Sequence, residues 1–483
     1  MRAWRKLLSG GERGTKRIKK GCAIDLKAQE KLNVIIVGTG YVGLTTGLAL
    51  GYLGHKVTCV DKDTAIIDKL ERGISTIYEP GLEELLQDKG NLVQFTDKLL
   101  GNLPDADIIV IAVGTPSKSN GDTDLSFVEA VAQEIGGAMD PDQPPVIVNK
   151  STVPIGTARR VETVIKEELE RRGKSSNLSV ASNPEFLREG AALHDTFYPD
   201  RIVVGANDMR ALNLLRQMYA PILEQTFTPP QAVPRPEGYG LPALVTTSPT
   251  SAELIKYSAN AFLAMKISFI NEFATIAEKV GADINEVAKG IGLDKRIGTG
   301  FLKAGVGWGG SCFPKDVRSI LFTAGQYNCE LQLINAALEI NKKQRMKIIE
   351  KLQQSLKVVR GSTIGLLGLA FKPNTDDIRE SPAIDIIKEL LDMGARVKVY
   401  DPVAQDKYRE TYPEQKIVYC DSAAEAAKEC DALAILTDWD EFWQLPWKDI
   451  GETMDQKIII DGRNMLNCEE LKKHGFIYSG IGR

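Results

Sequence analysis

Cys312 stands near the end of Gly305-Val306-Gly307-Trp308-Gly309-Gly310-Ser311-Cys312-Phe313-Pro314-Lys315-Asp316, the stretch best suited to covalent chemistry. Glycine this dense costs chain entropy unless the backbone must approach a ligand or turn with φ > 0. If a helix starts here, the thiol lies near its N-terminus, where the dipole lowers a cysteine pKa. Lys315 and Asp316 follow, which places Asp316 one turn along on the same face. A thiolate, a cation and a carboxylate are what covalent chemistry on an aldehyde requires. A packing cysteine in a glycine-rich loop is the plain alternative.

Lys256 and Asn260 are spaced i, i+4, so on a helix both reach one site, where they could hold an alcohol or its oxyanion. Taken alone, a solvated Lys/Asn face fits that pair better. Asn183-Pro184-Glu185-Phe186-Leu187-Arg188 and Lys150-Ser151-Thr152-Val153-Pro154 each follow a strand-like run, at the edge of a sheet where ligands bind. Turn chemistry and surface charge explain them equally well. Gly38-Thr39-Gly40-Tyr41-Val42-Gly43 has a dinucleotide-binding spacing. The first glycine serves the tight turn, the second the approach of backbone to pyrophosphate, the third the packing of helix on strand. The phosphates then sit at a helix N-terminus. Asp61 ends the next strand, where an acid bonds ribose hydroxyls and repels a 2′-phosphate, so NAD is favoured over NADP. Lys62 adjoins it.

The elements that must position these residues alternate β and α. Strands are expected at 32–37, 57–60, 108–113, 145–150, 180–182 and 202–204, with helices at 82–86 and 127–139. This predicts a doubly wound parallel sheet, a Rossmann-like NAD-binding domain over 31–230. Pro229, Pro230, Pro234, Pro236 and Pro242 mark residues 231–249 as a surface insertion, read as a passive loop. Residues 251–281 form a long helix with apolar Leu254, Ala261, Met265 and Ile276. Residues 250–350 therefore make a central helical linker carrying the cysteine loop, through which a two-fold homodimer or larger homo-oligomer is expected. Strands at 363–369, 397–400, 432–436 and 457–460 predict a second Rossmann-like domain over 361–480. Its turn, Gly365 to Lys372, lacks the GxGxxG spacing, so it is expected to bind something other than the dinucleotide.

A chain of 483 residues with 43% hydrophobic and 26% charged residues suits a globular protein of two or three domains. A net charge of −4 implies no nucleic-acid partner, and no apolar run is long enough for a membrane span. The 7 cysteines show no metal-ligand spacing and read as reduced thiols in a cytoplasmic protein, all but Cys312 as small buried hydrophobes. Residues 1–30 are basic without an apolar core, so they read as a disordered tail and not a secretory signal.

Taken together, these stretches resemble the UDP-glucose/GDP-mannose dehydrogenase family over roughly residues 32–482. The matches run in order: 38–43, Tyr78–Gly81, Val113–Pro116, Ser151–Pro154, Asn183–Arg188, Ser251–Lys256, Gly309–Asp316, Gly368–Lys372, Arg379–Pro382 and Asp461–Asn464. Gly309–Asp316 with Asp461–Asn464 is similar to the branch acting on UDP-glucose. The resemblance implies an NAD-dependent, four-electron oxidation of UDP-glucose to UDP-glucuronate, through a thiohemiacetal and a thioester on Cys312. Lys256 and Asn260 would hold the reacting oxygen; Asp316, Thr152 and Glu185 would organise water and proton transfer, the base among them left open. Glu185, Phe186, Leu187, Arg188, Arg296, Phe301, Leu302, Lys303, Gly305, Gly309, Lys372 and Arg463 would contact substrate, Arg296 in the site of a partner subunit. Thr115, Thr152, Lys315 and Arg379 would add cofactor contacts to Gly38, Gly40, Tyr41, Val42, Gly43 and Asp61. Ile66 stands where several relatives carry a lysine, so that adenosine-side contact is not expected.

Three alternatives remain at this level. A sister enzyme would act on another nucleotide sugar, such as GDP-mannose. A two-electron 3-hydroxyacid dehydrogenase would share the glycine turn and the Lys256/Asn260 pair, but would need neither Cys312 nor a second doubly wound domain. A silent nucleotide-sugar sensor would have no use for Cys312, Lys256, Asn260 and Asp316 together.

Overall fold

The computed structural model describes residues 31–88 and 90–483; the expected N-terminal tail and Cys22 lie outside the described residues. The first sheet contains β1 (Asn33–Val37), β2 (Lys56–Val60), β3 (Val93–Thr96), β4 (Ile108–Ile111), β5 (Val146–Asn149), β6 (Ser179–Ser182), β7 (Arg201–Gly205) and β8 (Ala243–Thr247). Their order is β3-β2-β1-β4-β5-β6-β7-β8. Both faces are buried, and the period of two shows it. Val34, Ile36, Ile108 and Val110 face one core; Ile35, Val37, Ile109 and Ile111 face the other.

Two features depart from the sequence-based expectation. β7 meets β6 antiparallel, through Ser182 and Gly205, and β8 runs parallel to β7. After β6 the chain stays at the ligand edge, and only the helix Ala192–Phe197 precedes β7. Its 6 residues span only about 9 Å, too little to cross back before starting another parallel strand. The proline-rich segment is also more than a passive loop. Past Pro242 it becomes β8, the edge strand, where proline's missing donor is harmless.

The helix Pro249–Val280 joins the two halves. Ser248 Oγ caps it by accepting from Ser251 N–H, Pro249 begins it, and Gly281 ends it at φ 75°. Its 32 residues span about 48 Å. Glu253 fastens it to the first sheet, accepting from the N–H groups of Gly156 at 2.6 Å and Ala158 at 2.9 Å at the start of the helix Thr157–Arg171. Of the apolar positions noted at helical spacing, Ala261 is buried, whereas Leu254 and Ile276 are exposed.

The second sheet contains β9 (Thr363–Leu367), β10 (Arg396–Tyr400), β11 (Val418–Tyr419), β12 (Ala432–Ile435), β13 (Ile458–Asp461) and β14 (Ile477–Gly480), all parallel. Its order, β11-β10-β9-β12-β13-β14, repeats that of the first six strands of the other sheet. The chain is thus two doubly wound α/β units joined by a long helix. Among the described residues no helix is long and apolar enough to cross a membrane.

Candidate active site

The turn after β1 has the steric logic its glycines imply. Gly38 sits at φ 102°, and a Cβ there would come within 2.6 Å of Ala112 O. At Gly43 a Cβ would collide with Gly38 O, so helix and strand could not close. At Gly40 a Cβ would meet no protein atom and would instead fill the space at the N-terminus of the helix Tyr41–Tyr52. That is the glycine a ligand needs. Asp61 Oδ2 accepts from Thr39 N at 2.9 Å and Thr39 Oγ1 at 2.7 Å, which fixes the acid beside the turn while leaving it half-exposed. The residues fit a dinucleotide.

The corresponding turn after β9 keeps only the first of these features, with Gly368 at φ 103°. Asp401, placed like Asp61, is 1% exposed and is spent on Leu369 N, Ala370 N and Trp439 Nε1. It has nothing left for a ribose.

The reacting residues converge on a cavity of about 770 Å³ whose wall includes Glu185, Lys256, Asn260, Gly309, Cys312 and Lys372. Lys256 and Asn260 are buried, so the solvated-face reading of their spacing fails. Lys256 Nζ lies 2.9 Å from Glu185 Oε1, and Asn260 Nδ2 donates to Asp316 Oδ2 at 2.6 Å. Lys315 Nζ donates to the other Asp316 oxygen at 2.7 Å. Glu185 Oε2 accepts from Leu187 N at 2.6 Å, and Thr152 Oγ1 reaches Glu185 Oε1 at 3.5 Å. Thr152 is tied in turn to Thr115, whose Oγ1 donates to Thr152 O at 2.8 Å.

Burial would raise the Glu185 carboxyl, but Lys256 outweighs it and holds the group ionised. Burial would lower Lys256, but Glu185, Cys312 and Asp316 raise it, so the ammonium keeps its proton.

Cys312 does cap a helix, Phe313–Gln326, yet its thiol is not acidified as its position suggests. Burial first, then the Glu185 charge, push it up to about 11, against the pull of Lys256. Desolvation here exceeds the dipole's effect. At pH 8 the thiol is then almost entirely protonated. Iodoacetamide should therefore alkylate Cys312 slowly, about tenfold faster per pH unit towards about 11; a rate flat above pH 7 would refute the burial argument.

Some expected contacts lie elsewhere. Phe186, Leu187, Arg188, Phe301 and Gly309 line the cavity, but Leu302, Lys303, Gly305 and Arg463 do not. They form an adjoining group against the second sheet: Lys303 Nζ binds Asp438 at 2.8 Å, and Arg463 donates to Phe371 O at 2.8 Å. Phe371 links that group to the cavity wall. Leu302 is core. Arg296 points to solvent, paired with Asp294, and takes no part in this chain's cavity. Tyr41 Oη, at the glycine turn, reaches Asp376 at 3.2 Å, joining the turn to the second domain. Arg379 binds Asp377 at 2.8 Å and Glu189 at 3.3 Å.

Glu189 was not legible as a site residue, because an acid after Arg188 looks like surface charge. In the structure its Oε1 accepts from Ser311 Oγ at 2.7 Å, next to Cys312, and burial with Asp377 alongside raises its pKa. Among the other thiols, Cys59, Cys420 and Cys430 are buried as expected, whereas Cys329 is exposed and Cys468 half-buried.

The fold and site define an NAD-binding dehydrogenase with a second doubly wound unit, and comparison with known proteins agrees. The chain matches three models in succession: the UDP-glucose/GDP-mannose dehydrogenase NAD binding domain over 32–223, central domain over 250–343, and UDP binding domain over 365–468. It belongs to the UDP-glucose/GDP-mannose dehydrogenase family. It is 44% identical over 454 residues to a UDP-glucose 6-dehydrogenase of Bacillus subtilis (strain 168), covering 94% of this chain and 98% of that one. A UDP-glucose 6-dehydrogenase of Rhizobium meliloti (strain 1021) is 43% identical over 459 residues, 94% and 100% of the two chains. Among solved structures, a UDP-glucose dehydrogenase from Pyrobaculum islandicum is similar with a TM-score of 0.82 and 36% identity, over 94% of this chain and 99% of that one.

Proposed function

We propose that this chain is a UDP-glucose 6-dehydrogenase, making UDP-glucuronate in two successive oxidations. The observation that carries the reading is the cluster of Lys256, Asn260 and Glu185 around Cys312 at the wall of one cavity, with Asp316 buried behind Asn260. NAD, when bound, supplies the hydride acceptor for each oxidation. Lys256, held as an ammonium, and Asn260 bind the C6 oxygen and stabilise negative charge on it. Cys312 adds through sulfur to the aldehyde carbon, the thiol proton leaving as the C6 oxygen gains one. The second oxidation leaves a thioester, which water cleaves to the carboxylate and the free thiol. The adjoining group of Lys303, Gly305 and Arg463 is proposed to hold the uridine diphosphate, with Lys372 between it and the sugar.

Limiting UDP-glucose should yield two NADH per sugar, with GDP-mannose run in parallel. One NADH per sugar would reduce the enzyme to a simple alcohol dehydrogenase; turnover of GDP-mannose alone would move the substrate.

We further propose a two-fold homodimer through the central helix, in the cytoplasm. Phe262, Phe269, Phe273, Ile276 and Val280 are exposed at helical spacing, and the Phe269 and Phe273 rings lie 4.6 Å apart. An apolar stripe of this kind marks an association surface. Arg296 is then free to reach the site of a second copy. Phe273→Glu should shift the protein to monomer in light scattering, with a loss of about tenfold or more in dimer affinity. An unchanged mass would place the interface elsewhere.

A further inference from the structure

The cavity does not end at the reacting residues. One end is walled by Lys256, Asn260, Cys312, Phe371 and Lys372. The other is walled by Leu50, Ile202, Ile222, Pro236 and Tyr239, which come from the first sheet, its helices and the proline-rich segment. Phe186 stands where the two ends meet. Its ring centroid lies 5.4 Å from Lys256 Nζ and 3.7 Å from the Arg201 guanidinium. The oxidation of a sugar nucleotide gives this second lobe, where apolar side chains are joined by Asp195, Asp200, Arg201 and Glu237, nothing to do.

Two polar groups in the lobe lack what burial demands. Lys150 is 7% exposed, and its ammonium donates only to neutral acceptors, Asn183 Oδ1 at 3.2 Å and Tyr219 Oη at 3.3 Å. The nearby carboxylate Glu185 is already taken by Lys256 at 2.9 Å. A buried ammonium that must share its nearest carboxylate with Lys256 is under-compensated, and an anion placed beside it would relieve that cost. Thr46, 1% exposed on the same wall, has a hydroxyl with no hydrogen-bond partner. The other cations at this end are committed: Arg188 to Asp195 at 2.7 Å, and Arg201 to the face of Phe186.

We propose that this lobe binds a small monocarboxylate with an aromatic or branched apolar body, its charge compensating Lys150 and its body packed among Leu50, Ile202, Ile222 and Tyr239. A phosphate fits worse, because two negative charges would face one under-compensated ammonium in a lining that also holds Asp195, Asp200 and Glu237. The shape is that of a ligand site in general: apolar lining with a few placed polar groups that orient the ligand. Lys150 also bears electrostatically on Glu185, so an anion in the lobe is felt at the reacting end. The proposal stands apart from the substrate reading, since binding is measured without turnover.

The experiment is calorimetric titration of the full-length protein with benzoate, and with benzyl alcohol as its uncharged counterpart. Benzoate should bind saturably, at least tenfold tighter than benzyl alcohol, and should still bind when UDP-glucose is saturating. Lys150→Met should erase the preference for benzoate, and Ile222→Trp, which fills the lobe, should abolish binding of both. Leu50→Phe is a second filling variant should Ile222→Trp not fold. The proposal is overturned if wild-type protein shows no saturable benzoate binding, if a folded filling variant binds as before, or if UDP-glucose displaces benzoate competitively.

Discussion

Cys312→Ala is expected to abolish formation of UDP-glucuronate, with a loss of at least about 10⁴-fold, because among the described residues no other thiol lines the cavity and Lys256 is held as a non-nucleophilic ammonium. The sulfur does two things that a neighbouring group cannot. It turns a bound aldehyde into a tetrahedral adduct carrying the second hydride, and it leaves an acyl group that water can cleave. The first oxidation needs neither, since Lys256 and Asn260 act on the alcohol oxygen and remain in place. The variant should therefore give no more than a single NADH per site, with aldehyde retained on the protein. Quenched single-turnover assays with product chromatography would measure this. Two NADH per UDP-glucose at the wild-type rate would remove Cys312 from the route.

Much of this site could be read from residue spacing, and the reason is steric. Gly38, Gly40 and Gly43 each meet a different requirement of one turn, so their spacing carries the geometry with it. Lys256 with Asn260, and Cys312 with Asp316, share helix faces, and helical periodicity is a local property.

What could not be read depends on contacts distant in sequence. The spacing of Lys256 and Asn260 says nothing about whether their face is solvated; burial is set by Glu185 and Asp316 arriving from other elements. The elevated Cys312 thiol has the same origin. A helix N-terminus is visible in sequence, whereas the dry surroundings that outweigh it are not. Glu189 is missed for this reason too, since it acquires its partner, Ser311, across a long separation; the segment opening with Lys150 is marked in the sequence, but not the burial of its ammonium beside Tyr219. In the fold, the short edge strands β3 and β11 escaped because their half-exposed residues show no strong apolar run. β8 was hidden by the prolines just before it.

The second large effect falls on Lys256. Lys256→Met keeps the length of the side chain but removes the cation that pairs with Glu185 and acts on Cys312 and Asp316. Two consequences follow, and they separate cleanly. Turnover should fall by about 10³-fold or more, as when an oxyanion-stabilising donor is lost. Stability should fall by about 3–5 kcal/mol, because Glu185 is left as a buried carboxylate without its partner. Without the ammonium, the burial that already opposes the Glu185 charge prevails, so that carboxyl takes up a proton at higher pH. Adding Glu185→Gln should then recover most of the lost stability, since a neutral amide no longer needs the cation, but none of the activity. Calorimetry and initial rates on the two single variants and the double variant form a closed cycle. If the double variant is no more stable than Lys256→Met, the Lys256–Glu185 pair is not what the buried cation serves. If Lys256→Met retains activity within tenfold of wild type, the stabilisation of the C6 oxygen must come from Asn260 alone.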